Sequence, residues 1–97
     1  METKHFNGLT PAEAERLAML AEECGEVIQV IGKILRHGYD SYHPDTPAIT
    51  NLSLLENELA DVMAVQRLMA VRKDIDYIGE EDVMASLYRK KKFAHHQ

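Results

Sequence analysis

Thr10–Gly38 reads TPAEAERLAMLAEECGEVIQVIGKILRHG, and the pattern within this stretch decides the fold. Thr10 is placed to cap a helix with its hydroxyl, Pro11 suits the first helical position, and Glu13 completes a capping box. At the far end Gly38 offers a left-handed stop just after His37. At about 100° per residue, Leu17, Leu20, Cys24, Val27, Ile28, Ile31, Ile34 and Leu35 fall within one arc of about 120°. The spacing therefore predicts a helix to about His37, with that arc in the core and Cys24 as inert filler within it.

Working outward, Tyr39–Thr50 reads as a loop, because Pro44 and Pro47 stand where no helix could continue. A second helix is expected to start near Ser53-Leu54-Leu55-Glu56, or a turn earlier at Thr50-Asn51, and to run to about Lys73. Asp74–Gly79 is a short connector. The third helix opens on Glu80-Glu81-Asp82 and closes on Arg89-Lys90-Lys91-Lys92, acid first and base last, as the helix dipole favours. No segment alternates as a strand would, and there are no repeats. The expectation is an all-α fold: a three-helix protomer that completes four-helix bundles by oligomerisation, one domain over residues 1–97, with 1–9 and 94–97 as flexible tails.

Composition narrows the function. Sixteen Asp and Glu against eleven Lys and Arg give a net charge of −5, which disfavours a nucleic-acid polymer as partner because phosphate backbones select basic faces. A single cysteine cannot form an internal disulfide, so a reducing cytoplasm is the expected setting. No apolar run approaches the roughly 20 residues of a membrane span, and Met1–Gly8 lacks the apolar centre of a signal peptide. A chain of 97 residues buries only about 60–65% of its surface alone, which favours self-association. Gly25 and Gly32, with Ala18 and Ala21 on one side of the first helix, suit close approach of a second helix. The expected assembly is a homodimer or a dimer of dimers.

The acids carry the chemistry. Glu22, Glu23, Gln29, Lys33 and His37 fall within about 60° of Glu26 on the first helix, in a stripe that also holds Met19 and Val30. On the second helix Leu54, Leu55, Val62, Val65 and Met69 all lie within about 60° of Glu58, and Asp61 sits at the same angular distance. Glu58 and Asp61 are thus expected in the middle of the apolar stripe. A buried carboxylate must be protonated, paired or bound to a metal; Arg67 points away and Arg72 is three turns on. Glu22, Glu23 and Glu26 opposite would add repulsion unless a divalent cation lay between. Clustered oxygens without cysteine or histidine describe a hard ion, Mg²⁺ or Mn²⁺. A di-iron bundle would need Glu-x-x-His pairs, which are absent. Of the histidines, His5, His43, His95 and His96 fall in loops or tails, and only His37 on a helix.

The pattern Glu22-Glu23-Cys24-Gly25-Glu26 followed by Glu58-Leu59-Ala60-Asp61 resembles the EExxE…ExxD motif of the MazG-like branch of the all-α nucleoside triphosphate pyrophosphohydrolases. LAEECGEVIQVIGKILRHG and LLENELADVMAV are similar to the short single-domain members carried by phages and bacteria, and the likeness covers roughly residues 10 to 93. The interval from Glu26 to Glu58 is slightly longer than usual, and the excess falls in the Tyr39–Thr50 loop. The resemblance implies Mg²⁺- or Mn²⁺-dependent hydrolysis of a (d)NTP between the α- and β-phosphates, in a bacterial or phage-infected cytoplasm. By matching positions, Glu23, Glu26, Glu58 and Asp61 would be metal ligands, with Glu22 for a further ion or for orienting the attacking water alongside Glu23. Lys33, about 10 Å beyond Glu26 on the same face, is within reach of a phosphate chain; Arg36, Arg89 and Lys92 are further candidates, and Asn51 is either a substrate ligand or an N-cap. With no tryptophan in the chain, Phe6, Tyr39, Tyr42 or Tyr88 is left to stack a base, with a lean to a purine of the dGTP type. Two alternatives stay open: a catalytically silent helical protein that binds metal or nucleotide, and a phosphoribosyl-ATP-type pyrophosphohydrolase.

Overall fold

Three helices, α1 (Pro11–His37), α2 (Asn51–Val71) and α3 (Glu80–Lys91), account for the architecture in a computed structural model that describes residues 4 and 6–97. His5 lies outside the described residues, as does most of the segment Met1–His5. Among the described residues no strand forms; a single antiparallel bridge pairs Tyr42 with Thr50.

The helix ends follow their caps. Glu13 N–H donates to Thr10 Oγ1 at 3.1 Å, and Thr10 N–H donates to Glu13 Oε1 at 2.8 Å, so two otherwise orphaned amides are satisfied. Those bonds hold the Glu13 carboxyl below its ordinary range. Gly38 stands at φ 88°, and its N–H donates to Ile34 O at 2.7 Å, closing α1 as a residue without Cβ can. Of the two starts expected for α2, the earlier one is observed. Thr50 is the N-cap, its hydroxyl accepting from Ser53 N–H at 3.2 Å, and Asn51 is the first helical residue.

The α1–α2 connection is tied to both helix ends. Asn51 is 7% exposed, and its Nδ2 donates to Gly38 O at 3.1 Å. Asn51 N–H donates to Ser41 O and Leu52 N–H to Tyr39 O, at 2.8 and 2.9 Å. The first amides of α2 are thereby satisfied by loop carbonyls. At the opposite end of the pair, Arg16 grips Asp74 through Nε and Nη2 at 2.5 and 2.8 Å, a two-pronged contact that depresses the Asp74 carboxyl. Gly38 beside Asn51 at one end and Arg16 beside Asp74 at the other make α1 and α2 an antiparallel pair.

Burial departs from the expectation. Val30, Val65 and Met69 are the buried hydrophobic residues of the described chain. The α2 face centred on Glu58 is inward as expected, but α1 turns Val30, from the stripe shared with the acids, toward α2. The face expected in the core is largely open: Leu17, Ile28, Ile31 and Leu35 are 42%, 68%, 41% and 82% exposed, and Cys24 is exposed too. The reason is angular. The apolar residues of α1 from Val30 round to Leu35 span about 140°, more than α2 covers, and α3 packs against neither helix. The α3 residues Val83, Met84, Leu87 and Tyr88 are about half-exposed or more. The radius of gyration is 17.1 Å, against about 12–13 Å for a compact chain of this length.

Candidate active site

The antiparallel pairing brings two short acid motifs face to face. Glu23 and Glu26 are one turn apart on α1, and Glu58 and Asp61 one turn apart on α2, so each pair shares a face. One carboxylate oxygen from each of the four lies within 4.8 Å of the others. Glu23, Glu26 and Glu58 are half-buried, whereas Asp61 is exposed. Its place at the rim corrects the expectation that it sits in the middle of the apolar stripe: at about 60° from Glu58 it falls where α1 no longer covers α2. Glu22 is exposed and is not among the four.

The electrostatics are those of a site short of positive charge. Glu58 is pushed up to about 7, first by hydrogen bonding to Glu26, then by desolvation and by the charges of Glu26, Asp61 and Glu23. Glu23 is also raised, chiefly by desolvation and next by Glu26 and Asp61. Glu23 Oε2 and Glu58 Oε2 are buried without a hydrogen-bond partner among the described residues. Unsatisfied buried carboxylate oxygens are costly. A divalent cation would satisfy them, and an all-oxygen donor set suits Mg²⁺ or Mn²⁺ over softer ions. The residues present therefore fit the metal that the sequence implies.

Beyond the acids, toward the loop, lies a cavity of about 630 Å³. It is lined by Lys33, Arg36 and His37 of α1, by Asn51 and Leu54 of α2, and by loop residues that include Tyr42 and His43. Three expected substrate residues, Lys33, Arg36 and Asn51, thus meet at one cavity. Asn51 is at the same time structural, since its amide holds Gly38. Arg89 and Lys92 do not line it. They stay on α3, where Arg89 Nη2 donates to Ser86 Oγ at 3.0 Å and Lys92 Nζ sits 4.6 Å from the Tyr88 ring centroid. Of the aromatic candidates, Tyr42 alone lines the cavity; Phe6, Tyr39 and Tyr88 are exposed elsewhere.

Sequence reasoning missed the loop's side of the cavity: Ser41, His43, Pro44, Thr46 and Ile49. The prolines were a usable signal. Thr46 N–H donates to His43 O and Ile49 N–H to Thr46 O, at 2.9 and 3.0 Å. Pro44 and Pro47 fall within these two successive turns, which fold the loop back over the cleft.

The model of the MazG nucleotide pyrophosphohydrolase domain matches residues 12–97. No curated protein and no solved structure matches the chain.

Proposed function

Since the chain belongs to the MazG nucleotide pyrophosphohydrolase family, we propose that it hydrolyses a (d)NTP, with a lean to the dGTP type, to the (d)NMP and pyrophosphate. The observation that supports this most directly is the four-carboxylate cluster with two buried, unpartnered oxygens. Glu23, Glu26, Glu58 and Asp61 would hold Mg²⁺ or Mn²⁺. When bound, the metal neutralises the polyphosphate and makes water a better nucleophile at neutral pH.

The chain's own groups supply the rest. Water oxygen adds to the α-phosphorus, the bond to the α–β bridging oxygen breaks, and pyrophosphate leaves with the electron pair. Glu22 and Glu23 orient the water and take its proton. Lys33 meets the phosphates: helical side chains lean toward the N-terminus of their helix, which swings its ammonium back toward Glu26. Arg36 contacts the substrate from the next turn. Attack at the γ-phosphorus is disfavoured because the sequence carries no glycine-rich phosphate loop.

The functional unit is a homodimer or a dimer of dimers that completes four-helix bundles. The open stripe of α1, the uncovered face of α3 and the extended radius of gyration support it. Arg89 and Lys92, remote from the cavity in their own chain, reach phosphate across that interface. Phosphorus NMR of a dGTP reaction tests the chemistry. Pyrophosphate and dGMP are expected together, and an orthophosphate signal arising first, without pyrophosphate, removes the assignment.

A further inference from the structure

We propose that the outer face of α2 is a self-complementary docking surface that receives α2 of a second copy, antiparallel, with Glu56 and Arg67 exchanged across a twofold axis. The inference rests on the proposed assembly only in making this the contact that joins two dimers, and it is independent of the reaction.

Position comes first. At about 100° per residue, Leu52, Glu56, Leu59, Ala60, Arg67 and Ala70 all fall within about 60° of Met63, and Glu58 lies about 140° away. This row is therefore turned from the carboxylate cluster and from α1. Leu52, Leu59 and Met63 are between two-fifths and half exposed, and Ala60 and Ala64 are exposed as well. Helix α3 packs against neither other helix and so leaves the row open. At its C-terminal end, Arg67, Ala70 and Val71 line a cavity of about 240 Å³ together with Tyr77. A row of apolar side chains this long on a charged helix is a surface built to be covered.

Charge and symmetry then choose the occupant. Glu56 and Arg67 flank the apolar centre formed by Leu59, Ala60 and Met63, and neither makes an ion pair among the described residues. A twofold axis passing between Asp61 and Val62 sets Glu56 of each copy opposite Arg67 of the other, and Ala60 opposite Met63. The same operation sets Leu52 of the second copy opposite Val71, at the mouth of the 240 Å³ cavity. A contact between identical patches must fit itself in this way. Parallel apposition would instead set Glu56 against Glu56 and Arg67 against Arg67, like charges that oppose association. Length agrees. From Leu52 to Val71 is about 28 Å at 1.5 Å per residue, which a second α2 covers from end to end. The 12 residues of α3 span about 18 Å and would leave one end bare. Ala60 and Ala64 allow the two helix axes to come close, so that Leu52, Leu59, Met63 and Val71 are buried together.

Light scattering of the full chain, with Mg²⁺ present, tests the surface by charge reversal. The unaltered chain is expected at tetramer mass. Glu56→Arg and Arg67→Glu each set like charges together at both contacts, and each is expected to weaken this association about tenfold or more, halving the mass. Mixing the two single variants restores opposite charges at both contacts, so the mixture is expected to regain the unaltered mass, as is the double reversal in one chain. Met63→Glu at the apolar centre should also halve the mass. Recovery on mixing shows that the single variants are folded. Unaltered mass in both single variants overturns the proposal and leaves the contact through α1 and α3 standing. Halved mass that neither mixing nor the double reversal restores also overturns it, and is the result expected if α3 covers the face. Single variants that fall to monomers, and recover on mixing, uphold the α2 surface and overturn the contact through α1 and α3.

Discussion

Glu58 is the residue on which the site turns, because it stands at the centre of the inward face of α2 with one oxygen that no group among the described residues satisfies. Its carboxyl lies near 7 rather than 4.5, so the folded chain binds this proton more tightly than the unfolded chain. Without metal, the resulting penalty grows as pH rises from about 4.5 to about 7 and is complete above that. Asp74 has the opposite sign. Arg16 lowers its carboxyl below 3.8, so its stabilisation is full above that pH and is lost as acid protonates it. Metal-free protein is therefore expected to melt lower at pH 8 than at pH 5.5, and Mg²⁺ to raise the melting temperature more at pH 8 by mass action. Glu58→Gln should flatten the profile between those pH values and fold well while losing turnover; a Gln variant with near-normal turnover would remove Glu58 from the site. Lys33→Ala makes a separate expectation at this scale. It should raise KM for the triphosphate about tenfold or more, as loss of one charge-assisted phosphate contact does, while Mg²⁺ still raises the melting temperature. Loss of that metal response as well would place Lys33 in the fold of the carboxylate cluster instead.

At the scale of the element, the boundaries were legible and the burial was not. Thr10, Pro11, Glu13 and Gly38 marked α1 because capping is local chemistry, settled within four residues of each end. The four acids were legible for a related reason: spacing of three on a helix fixes a shared face whatever packs on it. Which apolar side of α1 meets α2 is decided by the partner helix and the loop, and periodicity along one helix carries no information about either. Hence Val30 is inside, while Ile28, Leu35 and Cys24 are outside their own chain. The loop was least legible because Asn51, Gly38 and the Tyr42–Thr50 bridge act across a turn. Gly25 offers a test of this element. A Cβ built there meets nothing within 4 Å in the chain, and alanine should gain about 1 kcal/mol of helix propensity. If α1 acts alone at this point, Gly25→Ala stabilises the protein. If a helix of a second copy crosses there, the variant instead loses stability and shifts toward monomer in light scattering.

For the whole molecule, the incomplete core and the site belong to one argument. Among the described residues three hydrophobic side chains are buried and the other core residues only partly so, a small apolar burial to set against the conformational entropy of ordering a domain of this length. Meanwhile the acids on α1 and α2 repel one another across the same packed seam. An isolated chain would thus be held by little and opened by its own site. Apposing the open α1 stripe and α3 of one copy with those of another supplies the missing apolar burial on the side of α1 away from the metal ligands, since Ile28 and Leu35 lie roughly opposite Glu26 on the helix, and leaves the basic end of α3 to reach round to the phosphates. Assembly and metal binding then stabilise the same seam from opposite sides, and neither need contain the other's residues. Light scattering at micromolar concentration is expected to give a dimer or tetramer mass, and the melting temperature to rise with protein concentration as it does for coupled folding and association. Addition of EDTA should lower the melting temperature and abolish pyrophosphate release, but leave the oligomer mass unchanged. A monomer with full activity would show that two helices around a four-carboxylate cluster suffice. Dissociation by chelation alone would place the metal in the interface rather than between α1 and α2.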